Sequence, residues 1–187
     1  MLTEKELVEQ LKNAEEEAVE QLVERLADRL LRTALAIIGD RQLAEEVVQD
    51  TFLQVCRRIG SFKGQSSLET WIYRITVNLA KNRIRGGWFR QVMAFNAGDF
   101  DFAAAPPGEQ PESIILRDEE REAVISTLKG FPLKYREVLV LYYLEELNIR
   151  EISAILQQPE GTVKSKLSRA RILLKENLTK KEVVFSE

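Results

Sequence analysis

At 187 residues the chain can hold one ordinary domain or two small ones, and its 44% hydrophobic content without a long apolar run is that of a soluble globular protein, not a membrane-spanning one. It contains no histidine, which removes histidine-dependent catalysis and the commonest zinc ligand sets; a lone cysteine, Cys56, can replace neither. An enzyme, a bound metal and a cofactor are therefore all unexpected, while the single thiol and the absence of a secretory leader point to a reducing cytoplasm without membrane insertion.

The formal net charge of −3 suits a nucleic-acid partner poorly until it is divided along the chain. Residues 61–90 carry 6 Lys/Arg against 1 Asp/Glu, and residues 161–187 carry 7 against 3. Between them, residues 91–125 carry 2 against 8, and the first 60 residues carry 8 against 13. Two basic islands separated by acidic stretches is the distribution expected of two DNA contacts on one chain.

In chain order, Thr3 to Glu6 has capping-box spacing and opens a first helix with Leu7 and Leu11 on its apolar side. Val19, Leu22, Val23, Leu26, Leu30, Ala34 and Ile37 then describe a long amphipathic helix that Gly39 can end. Asp40 is placed to cap the next helix, whose inner side is Leu43, Val47, Val48, Thr51, Phe52, Val55 and Ile59. Its other side carries Glu45, Glu46, Gln49, Asp50, Gln54, Arg57 and Arg58, for which plain solvent exposure is a sufficient explanation. Cys56 is expected as a buried structural thiol on the apolar face.

A loop, Gly60 to Ser67, precedes a helix for which Ser66 and Glu69 have the spacing of a second capping box. Leu68, Ile72, Ile75 and Leu79 point inward on a helical projection, and Trp71 is expected in the core. Arg74, Asn78, Lys81 and Arg85 form a ridge at i, i+4, i+7 and i+11. A like-charged ridge repels itself, so an anionic partner such as phosphate explains it better than helix stability does. Gly86-Gly87 ends the helical pattern. The stretch to about Glu112, with prolines, glycines and no sustained period, is a linker by composition.

Helical patterning resumes from Ser113 to Lys129, is stopped by Gly130 and Pro132, and returns from Leu133 to Leu144. Asn148 and Glu151 form a capping box for a short helix with Ile149, Ile152 and Leu156 on one face; Gln157-Gln158-Pro159 breaks it. The following helix sets Val163, Leu167, Ala170 and Leu174 against a front of Lys164, Ser165, Ser168, Arg169, Arg171 and Lys175. Helix, turn and basic helix suit insertion into a DNA major groove; an ordinary amphipathic helix with a solvated basic face is the alternative from this segment alone. The fold class expected is all-α, in two small helical domains joined by a flexible linker.

Taken in this order, the motifs LAEEVVQDTFLQV (43–55), FKGQSSLETWIYRITVNLAKNRIR (62–85), FPLKYREVLVLYYLEELNIREISAIL (131–156) and GTVKSKLSRAR (161–171) resemble the extracytoplasmic-function (ECF) sigma factors of bacterial RNA polymerase. The resemblance runs from about Glu17 to Leu178. It implies a sigma region 2 domain over 1–86, a linker over 87–112, a sigma region 4 domain over 113–178 and a tail from 179. It also implies that Glu46, Gln49, Asp50 and Gln54 dock on the β′ clamp helices of core polymerase, with the β flap as a further contact. Phe62, Lys63, Gln65 and Ser66, with Arg74, Asn78, Lys81 and Arg85, would read the −10 element, the loop surrounding a flipped base and the ridge tracking the strand. Thr162, Lys164, Ser165, Ser168, Arg169 and Arg171 would read the −35 element.

The resemblance further implies an anti-sigma partner, and a linker whose Asp99 and Asp101 could mimic nucleic acid inside polymerase. Three positions depart from the family pattern: Gln157 where glycine is frequent at the turn, Asn82 where aspartate is frequent, and Phe131 for leucine before Pro132. A non-glycine residue in a left-handed turn costs about 1 kcal/mol. An autonomous helix-turn-helix regulator, binding duplex DNA without polymerase, is the competing function.

Overall fold

The computed structural model describes residues 3–91 and 128–184, with side chains over 3–85 and 128–176. The expected linker from residue 92, its Asp99 and Asp101, and the expected helix over 113–127 lie outside the described residues. Those described are helical, with no strand among them.

The first domain is built from α1 (Glu4–Lys12), α2 (Glu16–Ile38), α3 (Arg41–Arg58) and α4 (Leu68–Gln91). Thr3 and Glu6 cap α1 reciprocally, as the spacing requires. Helix α2 buries Ala18, Leu22, Leu26, Leu30 and Ala34, a row at four-residue steps against which α3 and α4 pack. Gly39 ends it at φ +79, a conformation that costs glycine nothing, and Asp40 accepts the Leu43 N–H at 2.9 Å to start α3. Between α3 and α4 the buried Thr51 and Thr76 hydroxyls meet at 3.3 Å; each also bonds the carbonyl four residues back, so neither is orphaned.

Three local expectations need correction here. The residue that caps α4 is Ser67, whose Oγ accepts the Thr70 N–H at 3.2 Å, while Ser66 bonds the Ser67 carbonyl. Glu69 is drawn away to Arg25 and Arg29 of α2, and the Leu68 N–H is instead satisfied by Glu4 of α1 at 3.1 Å. Helix α4 also passes through Gly86-Gly87 and continues to Gln91, the last residue described there, because glycine weakens a helix by about 1 kcal/mol without forbidding its geometry. Cys56 is exposed, not buried. The inward row of α3 runs Thr51, Val55, Ile59, and one residue beyond Val55 the helix has turned by about 100° toward solvent.

The second domain contains α5 (Leu133–Leu139), which widens into a π-helical turn (Val140–Leu144), then α6 (Ile149–Leu156) and α7 (Glu160–Val184). The last helix thus continues past the expected domain end at residue 178. Asn148 and Glu151 make the anticipated capping box. Gln157 occupies the left-handed region at φ 54, ψ 46 and hands its N–H to Ser153, so the helix-turn-helix break is made without glycine. Replacing Gln157 by glycine should therefore stabilise the protein by about 1 kcal/mol, read as a higher urea midpoint at unchanged slope. An unchanged midpoint would mean that the turn carries no strain. Phe131 is buried, and Val163, Leu167 and Ala170 form the inner face of α7, as expected.

The two domains pack on one another, and a single hydrophobic cluster extends through both. Helix α4 lies along α6, and α2 along α5 and the π turn. The Lys129 side chain covers Gly39 so closely that a Cβ there would fall 2.7 Å from its Cε.

Candidate nucleic-acid and polymerase interface

Three polar surfaces stand out, and their positions follow from the packing. The first is an open cleft of about 850 Å³ where the end of α3, the loop after it and α4 meet. Gln54, Arg57, Arg58, Arg74, Asn78 and Asn82 line it, and Gln157 closes it from the second domain. Three guanidinium groups, with no carboxylate among the described lining residues, make an anion-attracting groove, and the amides add groups able to bond base edges. Trp71 reaches its wall while remaining 8% exposed, as expected of a core residue. Beside the cleft, Phe62 packs on Trp71 with ring centroids 5.5 Å apart, and Gly64 at φ +67 lets the loop turn so that Lys63 and Gln65 are exposed.

The second surface is the outer face of α3. Arg83 of α4 bridges Glu46 at 2.9 Å and Asp50 at 2.8 Å, which fixes the two carboxylates side by side. Gln49 is exposed next to them, and Leu53, one turn on, is 53% exposed. A fixed acidic pair next to an exposed leucine has the chemistry to receive a basic or amphipathic helix.

The third surface is the front of α7. Thr162 and Lys164 are exposed, and Ser165, Ser168 and Arg169 are half-buried. Arg171 lies against Tyr142 and Tyr143, 5.2 and 5.7 Å from their ring centroids, and donates to the Tyr143 hydroxyl at 2.8 Å.

Two family models match this chain: sigma-70 region 2 over residues 22–90 and sigma-70 region 4 over residues 121–174. The RNA polymerase sigma-H factor of Pseudomonas aeruginosa is 34% identical over 179 residues, covering 91% of this chain and 93% of that protein. The ECF RNA polymerase sigma-E factor of Escherichia coli is 33% identical over 175 residues, covering 91% of each. The chain belongs to the ECF sigma factors. Among solved structures, the sigma factor RpoE in complex with the anti-sigma factor NepR from Bartonella quintana superposes with a TM-score of 0.64 at 26% identity, covering 86% of this chain and 96% of that one. CnrH in complex with the cytosolic domain of CnrY gives 0.69 at 24% identity, covering 92% and 95%, and shares the fold.

This sigma factor brings together some of the residues singled out in its sequence and separates others. Arg74 and Asn78 face the cleft, with Phe62 of the loop on its border, and Arg85 is exposed further along α4. Lys81, from the same ridge, is taken up instead by Glu137 of the second domain at 2.9 Å. Gln54 lines the cleft and does not join Glu46 and Asp50 around Arg83. Arg57, Arg58, Ser61 and Asn82 were not singled out as nucleic-acid contacts, although three of the four continue the basic or amide character of that wall. Their one-dimensional signal was weak because they come from the end of one helix and the middle of another. Arg83 and Leu53 were missed on the α3 face for the same reason.

Proposed function

We propose that this ECF sigma factor directs promoter-specific transcription initiation by holding core RNA polymerase with the α3 face and promoter DNA with the cleft and α7. Glu46, Gln49 and Asp50, with Leu53 one turn further along the helix surface, meet the β′ clamp helices. The loop Phe62, Lys63, Gln65 and Ser66, together with Arg74 and Asn78, takes the −10 strand: the arginines track phosphate and the amides meet an extruded base. Thr162, Lys164, Ser165, Ser168 and Arg169 read the −35 duplex from the major groove, while Arg171, stacked on two tyrosines, holds a pre-set orientation toward it. Lys81 and Arg85 join the −10 ridge once the domains separate. The β flap is the natural partner of the second domain.

The observation that carries this reading is the cleft of three arginines, without a carboxylate among its described lining residues, next to a helix-turn-helix domain, in a chain that matches a sigma factor over 91% of its length. Each basic surface is small, and binding by both requires something to hold them at promoter spacing, which polymerase supplies through effective concentration. The RpoE relative was solved with an anti-sigma factor, and a partner of that class covering the same faces belongs to the proposal. Run-off transcription of genomic fragments by core polymerase, with and without the protein, tests it: new start sites sharing elements near −10 and −35 are expected. Tight sequence-specific duplex binding by the protein alone, with no effect on polymerase, would favour the autonomous regulator.

A further inference from the structure

Two glutamates of the second domain are almost wholly inside the molecule, and the groups facing them include cations and hydroxyls of the first domain. Glu137 on α5 is 2% exposed. Its Oε1 accepts from Lys166 of α7 at 3.1 Å, and Lys81 of α4 lies 2.9 Å from Oε2. Glu145, at the end of the π turn, accepts from Thr33 of α2 at 2.7 Å, from the Tyr73 hydroxyl of α4, and from Arg29 of α2 at 3.4 Å. A third anchor is Arg136, which donates to the Ile37 carbonyl at the end of α2 at 2.6 Å while also binding the Lys129 and Phe131 carbonyls of its own domain.

We propose that Glu137 and Glu145 form an ionic clasp that holds the free sigma factor closed, with Glu137 standing in for a DNA phosphate on Lys81. Three features support this assignment. The cation it occupies sits in the middle of the α4 ridge, so closure and strand binding compete for the same ammonium group. Closure also carries Gln157, the turn of the helix-turn-helix, to the wall of the −10 cleft, so the mask is steric as well as electrostatic. Finally, charged anchors regain water when they part, so such a contact can be opened by a competing polyanion more readily than an apolar seam of the same size. A sigma factor closed in this way ignores DNA until polymerase, engaging α3 and the second domain at separate points, pulls the two apart.

The proposal rests on the α4 ridge being the −10 contact, and the test separates the two. The full-length protein is compared with Glu145→Gln, which leaves the second domain's own contacts in place, with Glu137→Gln, and with Glu20→Gln as an exposed charge-matched control. Helical content by circular dichroism confirms folding, and Glu145→Gln serves if Glu137→Gln fails to fold. Small-angle scattering should show the radius of gyration rising by roughly a tenth from the ~16 Å of a compact chain in both clasp variants but not in the control. Binding of a short fluorescein-labelled oligothymidylate without polymerase should tighten by roughly threefold or more in Glu137→Gln relative to the control, with a steeper salt dependence. An unchanged radius overturns the clasp and leaves the −10 reading standing. An opened chain with no gain in DNA affinity overturns the masking and the ridge assignment together.

Discussion

Asp50→Arg should release the protein from core polymerase while leaving it folded. Asp50 is partly exposed and its carboxylate bonds only to Arg83 among the described contacts, so reversing its charge unmakes a surface pair and not a core one. Two effects then add. The new cation faces Arg83, which displaces it from Glu46, and the acidic patch proposed to meet the clamp helices loses its centre. Truncating one partner of a close charge pair at an interface costs about 2–5 kcal/mol, so co-purification with core enzyme should fall by roughly thirtyfold or more. Thermal midpoints should stay near the wild-type value, because exposed ion pairs contribute about 0–1 kcal/mol to stability. Normal recovery of the variant with polymerase would remove α3 from the interface.

The second large effect is expected at promoter opening. Arg74→Ala removes a guanidinium from the cleft without touching the α3 face or the second domain. Loss of one charge-assisted strand contact is worth about 1.5–3 kcal/mol, so permanganate-detected open complex should drop by about tenfold or more while core binding stays intact. Lys81→Ala makes a less clean comparison. The same substitution removes a proposed strand contact and takes from Glu137 one of its two cations, loosening the domain contact, so its two consequences oppose one another. Unchanged opening with Arg74→Ala would move the −10 surface elsewhere.

The charged groups at the domain contact also shape local chemistry. Burial and the nearby Glu145 carboxylate hold the Tyr73 hydroxyl well above the ordinary tyrosine range, so it remains a donor across physiological pH. Burial works against the Arg29 guanidinium, yet Tyr73, Glu145 and Glu69 together raise it above the usual arginine value. For Arg136, burial alone lowers it. Its charge lies at the C-terminal end of α2, where a cation also meets the negative end of the helix dipole.

Much of this arrangement could be read from the chain alone, and the successes share one physical feature. Thr3 with Glu6, Asp40 with Leu43, and Asn148 with Glu151 are contacts across three residues, and the rows of α2 and α7 repeat within one or two turns. Such signals survive in a linear sequence because the helix itself sets their geometry. The left-handed turn at Gln157 belongs to this class, since the break between two capped helices left it no other place.

The misreadings share the opposite feature. Ser67, not Ser66, caps α4 because Glu69 is claimed by arginines of α2, about forty positions earlier, and Glu4 of α1 takes the Leu68 N–H. A different limit applies to Lys81: helical register sets it on the α4 ridge, but register gives only a direction from the helix axis and says nothing about the Glu137 carboxylate that meets it there.

The sequence by itself determined the run of amphipathic helices along most of the chain, the caps that close within one turn, the rows of α2 and α7, and the sigma-factor family, since each depends on neighbours within a few residues or on the order of motifs. Only the tertiary structure decided which polar groups are open to partners and which are already taken. Arg29 meets Glu145 across 116 positions of chain, and whether such a pair forms depends on how two domains dock, a matter of shape and desolvation that no local pattern encodes.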